Sequence, residues 1–230
     1  MTKVSIIVPC YNEEKFIKEI INKVQAVHLS NLTKEIIVVD DGSNDGSPAI
    51  IQSLRGIKCV FHGKNLGKGA AIRTALALAG GDLVLIQDAD LEYDPNDYSK
   101  LLAPIIGGWA DVVYGSRFRS NSVSRFYSLL QYLANKFFTF LNNGLNQSFF
   151  LTDIETCYKA FKKEAIASVI IEESGFGFEP EITIKLLKRG WRFHEVGISY
   201  AGRSYAEGKK IKFKDGLRTI FCIFKYTLKH

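Results

Sequence analysis

The sequence predicts an α/β fold in which a mostly parallel sheet carries helices on both faces. In the first half of the chain, short apolar runs of strand length alternate with amphipathic segments of helical period. Such an alternation requires right-handed crossovers, whose helices cover both faces of the sheet. Polar and acidic residues directly follow several of the apolar runs, and the carboxyl ends of parallel strands are where ligands bind in such sheets.

The first predicted elements are a strand at Val4–Val8 and a helix at Glu13–Val27. Asn12 is expected to cap this helix, because its side chain can accept a hydrogen bond from the first turn. A run of β-branched residues predicts the second strand at Glu35–Val39. The elements that follow are a helix from Ser47 to Leu54, a strand at Lys58–Phe61, a helix at Gly69–Ala79, a strand at Leu83–Gln87, a helix opened by Asp94-Pro95 and a strand at Asp111–Tyr114.

The part of the chain after residue 120 is richer in aromatic side chains and predicts longer helices. Arg125–Leu141 has its apolar residues at helical spacing, and Asp215–Leu228 is a second amphipathic segment. Between them the sequence predicts a mixed segment around Asp153–Phe161, a helix near Pro180–Arg189, a strand at Arg192–Tyr200 and a basic loop at Arg203–Lys212.

The composition is that of one globular domain over residues 1–230. Hydrophobic residues make up 47% of the chain and charged residues 23%, which is ample for a sizeable core. The 30 basic and 24 acidic side chains give a formal charge of +6, which suits nucleic acid, a phosphate-rich ligand or an anionic bilayer surface. The four scattered cysteines argue against a disulfide scaffold or a structural zinc site and favour a reducing compartment. We expect no signal peptide, because the apolar run Val4–Pro9 is too short for one, and no membrane span, because no apolar run reaches about 18 residues.

Two aspartates stand at the end of the strand predicted at Leu83–Gln87. Asp88 and Asp90 are two residues apart, so on an extended backbone both carboxylates point the same way. Hard oxygen ligands of this kind suit Mg²⁺ or Mn²⁺, especially if a substrate diphosphate completes the coordination. A turn with two solvated aspartates is the alternative for this motif taken alone.

Two common nucleotide-binding motifs are missing from the sequence. The run Pro9–Glu13 lacks the glycines of a dinucleotide-binding loop. The run Gly63–Gly69 is one residue short of a P-loop and has glycine where that loop needs Ser or Thr.

Asp40 and Asp41 end the second strand, and an Asx-type turn is the expected role of one of them. No strand interleaves basic and aromatic residues as an RNA-binding sheet does, so we expect no nucleic-acid partner.

Several short motifs, taken in order, resemble the family 2 glycosyltransferases. They are VPCYNE at 8–13, VDDGS at 39–43, NLGKG at 65–69, DAD at 88–90, GSRF at 115–118 and EGKK at 207–210. The resemblance spans residues 4 to about 216 and is strongest to the dolichol-phosphate mannose synthase branch, with its polyprenyl-phosphate glucosyltransferase relatives. It implies a GT-A fold and an inverting transfer of a hexose from a UDP- or GDP-sugar to a polyprenyl phosphate.

The resemblance also implies a role for each matching residue. Residues 1–118 would bind the nucleotide sugar, and residues 119–230 would supply the acceptor site and a lid. Asp88, Asp90 and Glu92 would hold Mg²⁺ or Mn²⁺, although relatives often carry an amide at the position of Glu92. Arg117, Arg203 and Lys209 would bind phosphates. The remaining donor-site residues would be Pro9, Tyr11, Glu13, Val39, Asp41 and Ala89.

The basic loop at Arg203–Lys212 is a candidate lid over the donor. Gly202 directly precedes it and Gly208 lies within it, so the loop could close over the donor. A solvated charged loop is the alternative.

The nature of the acceptor decides whether a catalytic base is needed. A phosphate monoester, with a second pKa near ~6, is already mostly dianionic at neutral pH, whereas a hydroxyl needs a general base. A polyprenyl phosphate therefore needs only cations to align it, and we predict Asp90, Arg117 and Arg125 as the catalytic residues. If the acceptor is a glycan hydroxyl instead, Glu179 or Glu181 would act as the base. A silent nucleotide-sugar-binding module is the third hypothesis.

The segment at Val123–Leu141 predicts an interfacial helix rather than a span. Arg125 and Lys136 can reach anionic headgroups beside its apolar face, and the terminal helix is a second candidate contact. We therefore expect a peripheral protein at the cytoplasmic face of a membrane. The alternative is that this face packs on the sheet, on a membrane protein or on a second copy of the chain. The apolar face consists of Phe126, Leu130, Leu133, Phe137 and Leu141.

Overall fold

The computed structural model describes residues 1–119, 124–125, 129–203 and 213–229, and it has a seven-stranded sheet in the order β3-β2-β1-β4-β7-β5-β8. A short two-stranded sheet pairs β6 with β9. The strands are β1 (Thr2–Cys10), β2 (Leu32–Asp40), β3 (Lys58–Phe61), β4 (Leu83–Ile86), β5 (Val112–Ser116), β6 (Ser124–Arg125), β7 (Lys159–Lys162), β8 (Phe193–Gly197) and β9 (Tyr200–Ala201).

Helices cover both faces of the large sheet, as the alternating pattern predicts. α1, α2 and α4 contribute buried residues to one apolar cluster, and α3, α6, α7 and α8 contribute to the other. The bounds are α1 (Ile17–Ala26), α2 (Ser47–Ser53), α3 (Lys68–Leu76), α4 (Tyr98–Ile106, preceded by a 3₁₀ turn at Pro95–Asp97), α5 (Leu129–Asn146), α6 (Lys163–Ala167), α7 (Phe178–Lys188) and α8 (Phe213–Leu228).

The parallel register brings the ends of three strands together. β1 lies between β2 and β4, with Cys10 opposite Asp40 and Ile7 opposite Ile86. The residues that follow these strands therefore meet at one edge of the sheet. β5 and β8 are parallel to each other, and their last residues, Ser116 and Gly197, are also paired.

The structure differs from the sequence prediction most clearly at β7. This strand lies in the middle of the sheet and runs antiparallel to both β4 and β5. Its four residues are an apolar pair, Ala160-Phe161, between two lysines, and Lys159 is fully buried. A strand this short, with a buried ion, has neither an apolar run nor a helical period, which is why the sequence predicts only a mixed segment here.

The start of α1 also differs from the prediction. The helix begins at Ile17, and the expectation that Asn12 caps it is wrong. Asn12 has a φ of 49°, a left-handed conformation that asparagine tolerates better than most residues. Its backbone N–H donates to Ser43 Oγ at 2.8 Å, and its Oδ1 accepts from the N–H of Asn44 at 2.8 Å. The residue thus joins the loop after β1 to the loop after β2.

Candidate active site

Asp88 lies two residues beyond β4 and forms an ion pair inside the protein. Its Oδ1 is 2.7 Å from Nζ of Lys68, the first residue of α3. Lys68 is in turn 3.4 Å from Glu179 Oε1 on α7. Burial opposes ionisation of Asp88, yet Lys68 holds the pKa of that carboxyl below its ordinary value. Burial likewise lowers the pKa of Lys68, but Asp88 raises it well above the usual value, so both groups are charged.

Glycines explain how Lys68 reaches this position. A Cβ on Gly69 would lie 2.2 Å from the carbonyl oxygen of Glu173, and one on Gly67 would lie 2.4 Å from that of Ser174. Gly67 also has a φ of 99°, which favours glycine. The Gly-Lys-Gly run therefore lets the start of α3 approach the 173–174 backbone closely, and Lys68 points from there towards Asp88.

Asp90 and Glu92 are bound by one arginine from the far end of the chain. Arg203 Nη2 donates to Asp90 Oδ2 at 2.5 Å, and Arg203 Nε donates to Glu92 Oε1 at 3.3 Å. The backbone N–H of Arg203 also donates to Glu92 Oε1 at 2.9 Å. Glu13 accepts from Nη1 and Nη2 of the same guanidinium at 3.0 and 3.2 Å. Arg203 therefore joins three carboxylates that the sequence assigned to one site.

The carboxylates in this cluster outnumber the cations among them. Burial, followed by the negative charges of Asp88 and Glu92, raises the pKa of Asp90 to about 7 even though Arg203 acts in the opposite direction. Asp88, Asp90 and Glu92 supply hard oxygen donors of the kind that Mg²⁺ and Mn²⁺ prefer, so the residues fit such an ion. Across the part of the chain that the structure describes, no three acidic, histidine or cysteine side chains already stand in a metal-binding arrangement. Lys68 and Arg203 hold these carboxylates instead.

Arg117 stands at the end of β5 and is almost completely buried. Its Nε and Nη2 donate to the two oxygens of Asp153 at 2.7 and 2.6 Å, a two-pronged charged pair. Its guanidinium carbon is 5.3 Å from the centre of the Tyr200 ring, and Tyr200 donates a hydrogen bond to Glu92. Arg117 therefore lies beside the acidic cluster. No pattern in the sequence indicates Asp153 as its partner, because the two are 36 residues apart.

The two aspartates at the end of β2 have different surroundings. Both oxygens of Asp41 are used by the protein: Oδ1 accepts from the N–H of Leu66 and lies 2.7 Å from His62 Nδ1, and Oδ2 accepts from the N–H of Gly67. Asp40 accepts from the N–H of Ser43 through Oδ2, while its buried Oδ1 has no hydrogen-bond partner among the described residues. Asp41 therefore holds the loop that precedes α3, and Asp40 has the unpaired oxygen.

The other residues predicted for the donor site lie around these strand ends. Pro9 and Val39 are register partners on β1 and β2, and Tyr11 and Glu13 follow β1. Ala89 is buried between the two aspartates of the Asp-Ala-Asp run. Lys209, the loop at 204–212 and the side chain of Arg125 lie outside the described residues, so their predicted roles stay predictions.

A buried charge network that the sequence did not reveal lies beneath this edge. Lys159 on β7 is fully buried and donates to Glu179, as well as to the carbonyl oxygens of Ile154 and Thr156. Glu155 lies close by, and burial together with Glu179 raises the pKa of Glu155 to about 8. The only signal of this network in the sequence is a lysine placed among apolar residues, between Tyr158 and Ala160.

Glu181, the other candidate base, is engaged by the backbone. Its two oxygens accept from the N–H groups of Glu172 and Glu173 at 2.7 and 2.8 Å, and Lys185 is 2.6 Å from Oε1. Glu181 therefore fixes the segment that α3 packs against.

Comparison with known proteins identifies similar sequences and folds. The family model "Glycosyl transferase family 2" matches residues 5–169. The chain is 32% identical to the UDP-N-acetylglucosamine–dolichyl-phosphate N-acetylglucosaminyltransferase of Methanococcus voltae over 70% of each chain. It is 29% identical to the dolichol-phosphate mannosyltransferase of Pyrococcus furiosus, over 97% of this chain and 64% of that protein. The fold is similar to that of the Mycobacterium tuberculosis glucosyl-3-phosphoglycerate synthase crystallised with Mn²⁺ and UDP-glucose, with a TM-score of 0.76, 20% identity and coverage of 98% of this chain and 79% of that chain.

Proposed function

The chain belongs to glycosyl transferase family 2 and is a glycosyltransferase with the GT-A fold, and on that basis we propose that it moves a hexose from a nucleotide diphosphate sugar to a polyprenyl phosphate. Two relatives, from M. voltae and P. furiosus, carry dolichyl or dolichol phosphate in their names. The observation that carries the proposal is the acidic cluster of Asp88, Asp90 and Glu92 with Lys68 and Arg203 beside it. Opposite charges in this arrangement suit a diphosphate and a divalent cation together.

For the nucleoside we propose that Asp40 rather than Asp41 receives the base. Uracil and guanine both present a ring N–H. The unpaired Oδ1 of Asp40 is a buried acceptor at the edge of the sheet where β1 and β2 end. Pro9, Tyr11 and Val39 would line the same pocket. Asp41 is less suited to bind the nucleoside, because both of its carboxylate oxygens already accept hydrogen bonds from the protein.

For the diphosphate we propose that Asp88, Asp90 and Glu92 hold Mg²⁺ or Mn²⁺ and that Arg203 and Lys209 bind phosphate oxygens. The ion, when bound, would offset the negative charge that builds up on the leaving diphosphate. Lys68 keeps Asp88 ionised and in place through its 2.7 Å ion pair. Arg203 supplies planar paired donors, which match a phosphate group.

For the acceptor we propose direct attack by a phosphate dianion with inversion at the sugar and without a general base. Asp153 uses Nε and Nη2 of Arg117, so Nη1 is the nitrogen that we assign to the acceptor phosphate, together with Arg125. Glu179 is held between Lys159 and Lys68, which supports a structural role for this carboxylate rather than proton transfer. The C–O bond to the diphosphate breaks as the bond to the acceptor oxygen forms, and no proton has to move.

A radiolabel partition assay tests the proposal. The purified protein is incubated with UDP- and GDP-hexoses, short polyprenyl phosphates and Mn²⁺ or Mg²⁺, and we expect chloroform-extractable label with at least one donor. Glu179→Gln should retain substantial turnover, whereas Asp90→Asn should abolish it. Label that enters only a glycan acceptor, with Glu179→Gln inactive, would favour the hydroxyl-acceptor reaction. Nucleotide-sugar binding without transfer to either acceptor would favour a silent binding module.

We also propose that α5 and α8 place the protein on an anionic membrane surface at its cytoplasmic face. The two helices pack together, and apolar side chains on both remain exposed, among them Leu130 at 76%, Phe137 at 52% and Phe221 at 52%. Lys214, at the start of α8, is exposed as well. In the described part of the chain no helix is both long enough and apolar enough to cross a bilayer. An interfacial contact fits such a surface.

Liposome sedimentation tests the membrane contact. We expect binding to vesicles that contain anionic lipid, weakened by salt and by Phe137→Asp. Phe138 is not a suitable site for this test because it packs towards the core. Ile106→Asp is the matched control, since Ile106 is also exposed but lies on α4, which covers the other face of the sheet. A wild-type protein that stays in the supernatant at low salt would show that the surface is covered by protein instead.

A further inference from the structure

Arg203 makes five polar contacts with three carboxylates and connects Asp90 and Glu92 of the acidic cluster to Glu13. It binds Asp90 through Nη2, Glu92 through Nε and its backbone N–H, and Glu13 through Nη1 and Nη2, at 2.5 to 3.3 Å. Only 12% of its side chain is exposed, and its guanidinium carbon is 5.2 Å from the centre of the Phe16 ring. These contacts fix the guanidinium in one place.

Two of the oxygens that Arg203 uses belong to the proposed metal ligands. Asp90 Oδ2 and Glu92 Oε1 both face the guanidinium, so a divalent cation that binds the same oxygens would meet a fixed positive charge. Like charges at such short range repel strongly in a site of low dielectric constant. Either the guanidinium moves away or an anion comes between the two cations.

The donor supplies such an anion. A diphosphate offers the guanidinium acceptor oxygens of higher charge than those it leaves, and it offers the metal the remaining ligands that two or three carboxylates do not complete. The metal and the diphosphate would therefore favour each other, because each removes an obstacle to the other.

We propose that Arg203 competes with the divalent cation for Asp90 and Glu92, and that the donor diphosphate relieves this competition by taking over the guanidinium. The inference rests on the proposed function, because it requires that the carboxylates bind a metal. It assigns Arg203 a positioning role in addition to phosphate binding: the site takes up metal and donor together, and metal alone binds weakly.

Binding of Mn²⁺ measured by electron paramagnetic resonance tests this directly, because free hexaaqua Mn²⁺ gives a signal that bound ion loses. Wild type, Arg203→Ala and Arg203→Gln are titrated after chelation and dialysis, first without nucleotide and then with UDP or with GDP. Without nucleotide, we expect both variants to bind Mn²⁺ about tenfold more tightly than wild type, within the usual range of coupling between sites. With nucleotide, the gain in Mn²⁺ affinity should be large in wild type and smaller in the variants by about the same factor.

Arg192→Ala is the matched control. Arg192 also forms a charged pair with an aspartate, Asp111, but that pair lies at the opposite ends of β5 and β8 from Arg117. This variant should bind Mn²⁺ as wild type does in both conditions. Circular dichroism spectra show whether each variant is folded, and Arg203→Gln keeps most of the packing on Phe16 if Arg203→Ala does not.

Two negative outcomes separate the inference from the proposed function. If wild type binds Mn²⁺ with nucleotide but both Arg203 variants bind it no more tightly without nucleotide than wild type does, the competition is refuted and the metal site stands. If no form binds Mn²⁺ under any condition, the metal-dependent function and the inference both fail.

Discussion

Substitution of Lys159 by methionine tests whether the buried charge network holds the centre of the sheet together. Lys159 is fully buried on β7, where it binds Glu179 and lies 4.5 Å from the centre of the Tyr114 ring. Methionine has a similar length and is apolar, so Lys159→Met removes the charge with little change in volume. Among the described residues, the Glu179 carboxylate then keeps its 3.4 Å contact with Lys68, and Glu155 loses a nearby cation.

The expected loss is large because one partner of a buried ion pair is left behind. Breaking such a pair costs about 3–5 kcal/mol of the free energy of unfolding. For a chain of this size each kcal/mol lowers the melting temperature by about 2–4 °C, so the fall should be roughly 6–20 °C. Calorimetry or circular dichroism at neutral pH measures it. The double variant Lys159→Met/Glu179→Gln should lose less than the sum of the single losses, because it also removes the unpaired charge.

Lys162→Met is the control in the same strand. Lys162 pairs with Asp111 at 2.8 Å, but its side chain is 28% exposed, so water compensates for the loss of the pair. Its substitution should cost no more than about 1 kcal/mol. Equal losses for Lys159→Met and Lys162→Met would refute the reasoning, since burial would then not decide the energy of these pairs.

Three further predictions concern the donor site, pH and α8. Asp40→Asn should weaken UDP or GDP binding by about tenfold or more, because a hydrogen bond to a charged group contributes about 1.5–3 kcal/mol. Asp41→Asn should mainly lower the melting temperature. Titration and scanning calorimetry distinguish the two effects, and unchanged nucleotide affinity in Asp40→Asn would refute the assignment. Burial opposes ionisation of Glu35, but hydrogen bonds from two lysines, a serine and a backbone N–H hold its pKa at about 2 against an ordinary 4.5, so its contribution is present above about pH 4.5 and is lost as the pH falls towards 2. In Glu35→Gln this acid-dependent loss should shrink by roughly 2 kcal/mol in urea titrations between pH 2 and 6, and an identical pH profile would contradict it. Glu173→Gln should loosen α8, because Arg218, Lys225 and Tyr226 all donate to that carboxylate, and hydrogen exchange in α8 should rise while exchange in α1 does not.

The position of the site could be predicted from sequence, because it depends on local order along the chain. Each of these parallel strands is followed by polar residues, and parallel register places those ends at one edge, so the sequence predicts that Asp40, Asp88 and Asp90 lie in one region. The family resemblance, now confirmed, added Glu92 and Arg203. In the structure the guanidinium of Arg203 donates hydrogen bonds to both Glu92 and Asp90.

The pairing of charges within the site could not be predicted in the same way. Asp153 binds Arg117 across 36 residues, and Lys68 lies between Asp88 and Glu179, which is more than 90 residues further along the chain. Such pairs are set by the packing of separate elements and leave no periodic pattern. The antiparallel strand β7 was missed for the same reason, since its identity depends on a buried lysine whose partner is on α7.

These pairings divide the proposed metal ligands into two kinds. Asp88 is paired with Lys68, and through Glu179 it is linked to Lys159 in the interior of the sheet, so its position depends on ion pairs with α3, α7 and β7. Asp90 and Glu92 are bound by Arg203, which lies two residues beyond the short strand β9 and belongs to no helix or strand. A site of this form keeps one ligand preorganised and lets the others accept a metal only when the displaced guanidinium has a new anion to bind. That anion is present only in the donor, so the same charges that make the cluster attractive to cations would also make productive metal binding depend on the substrate.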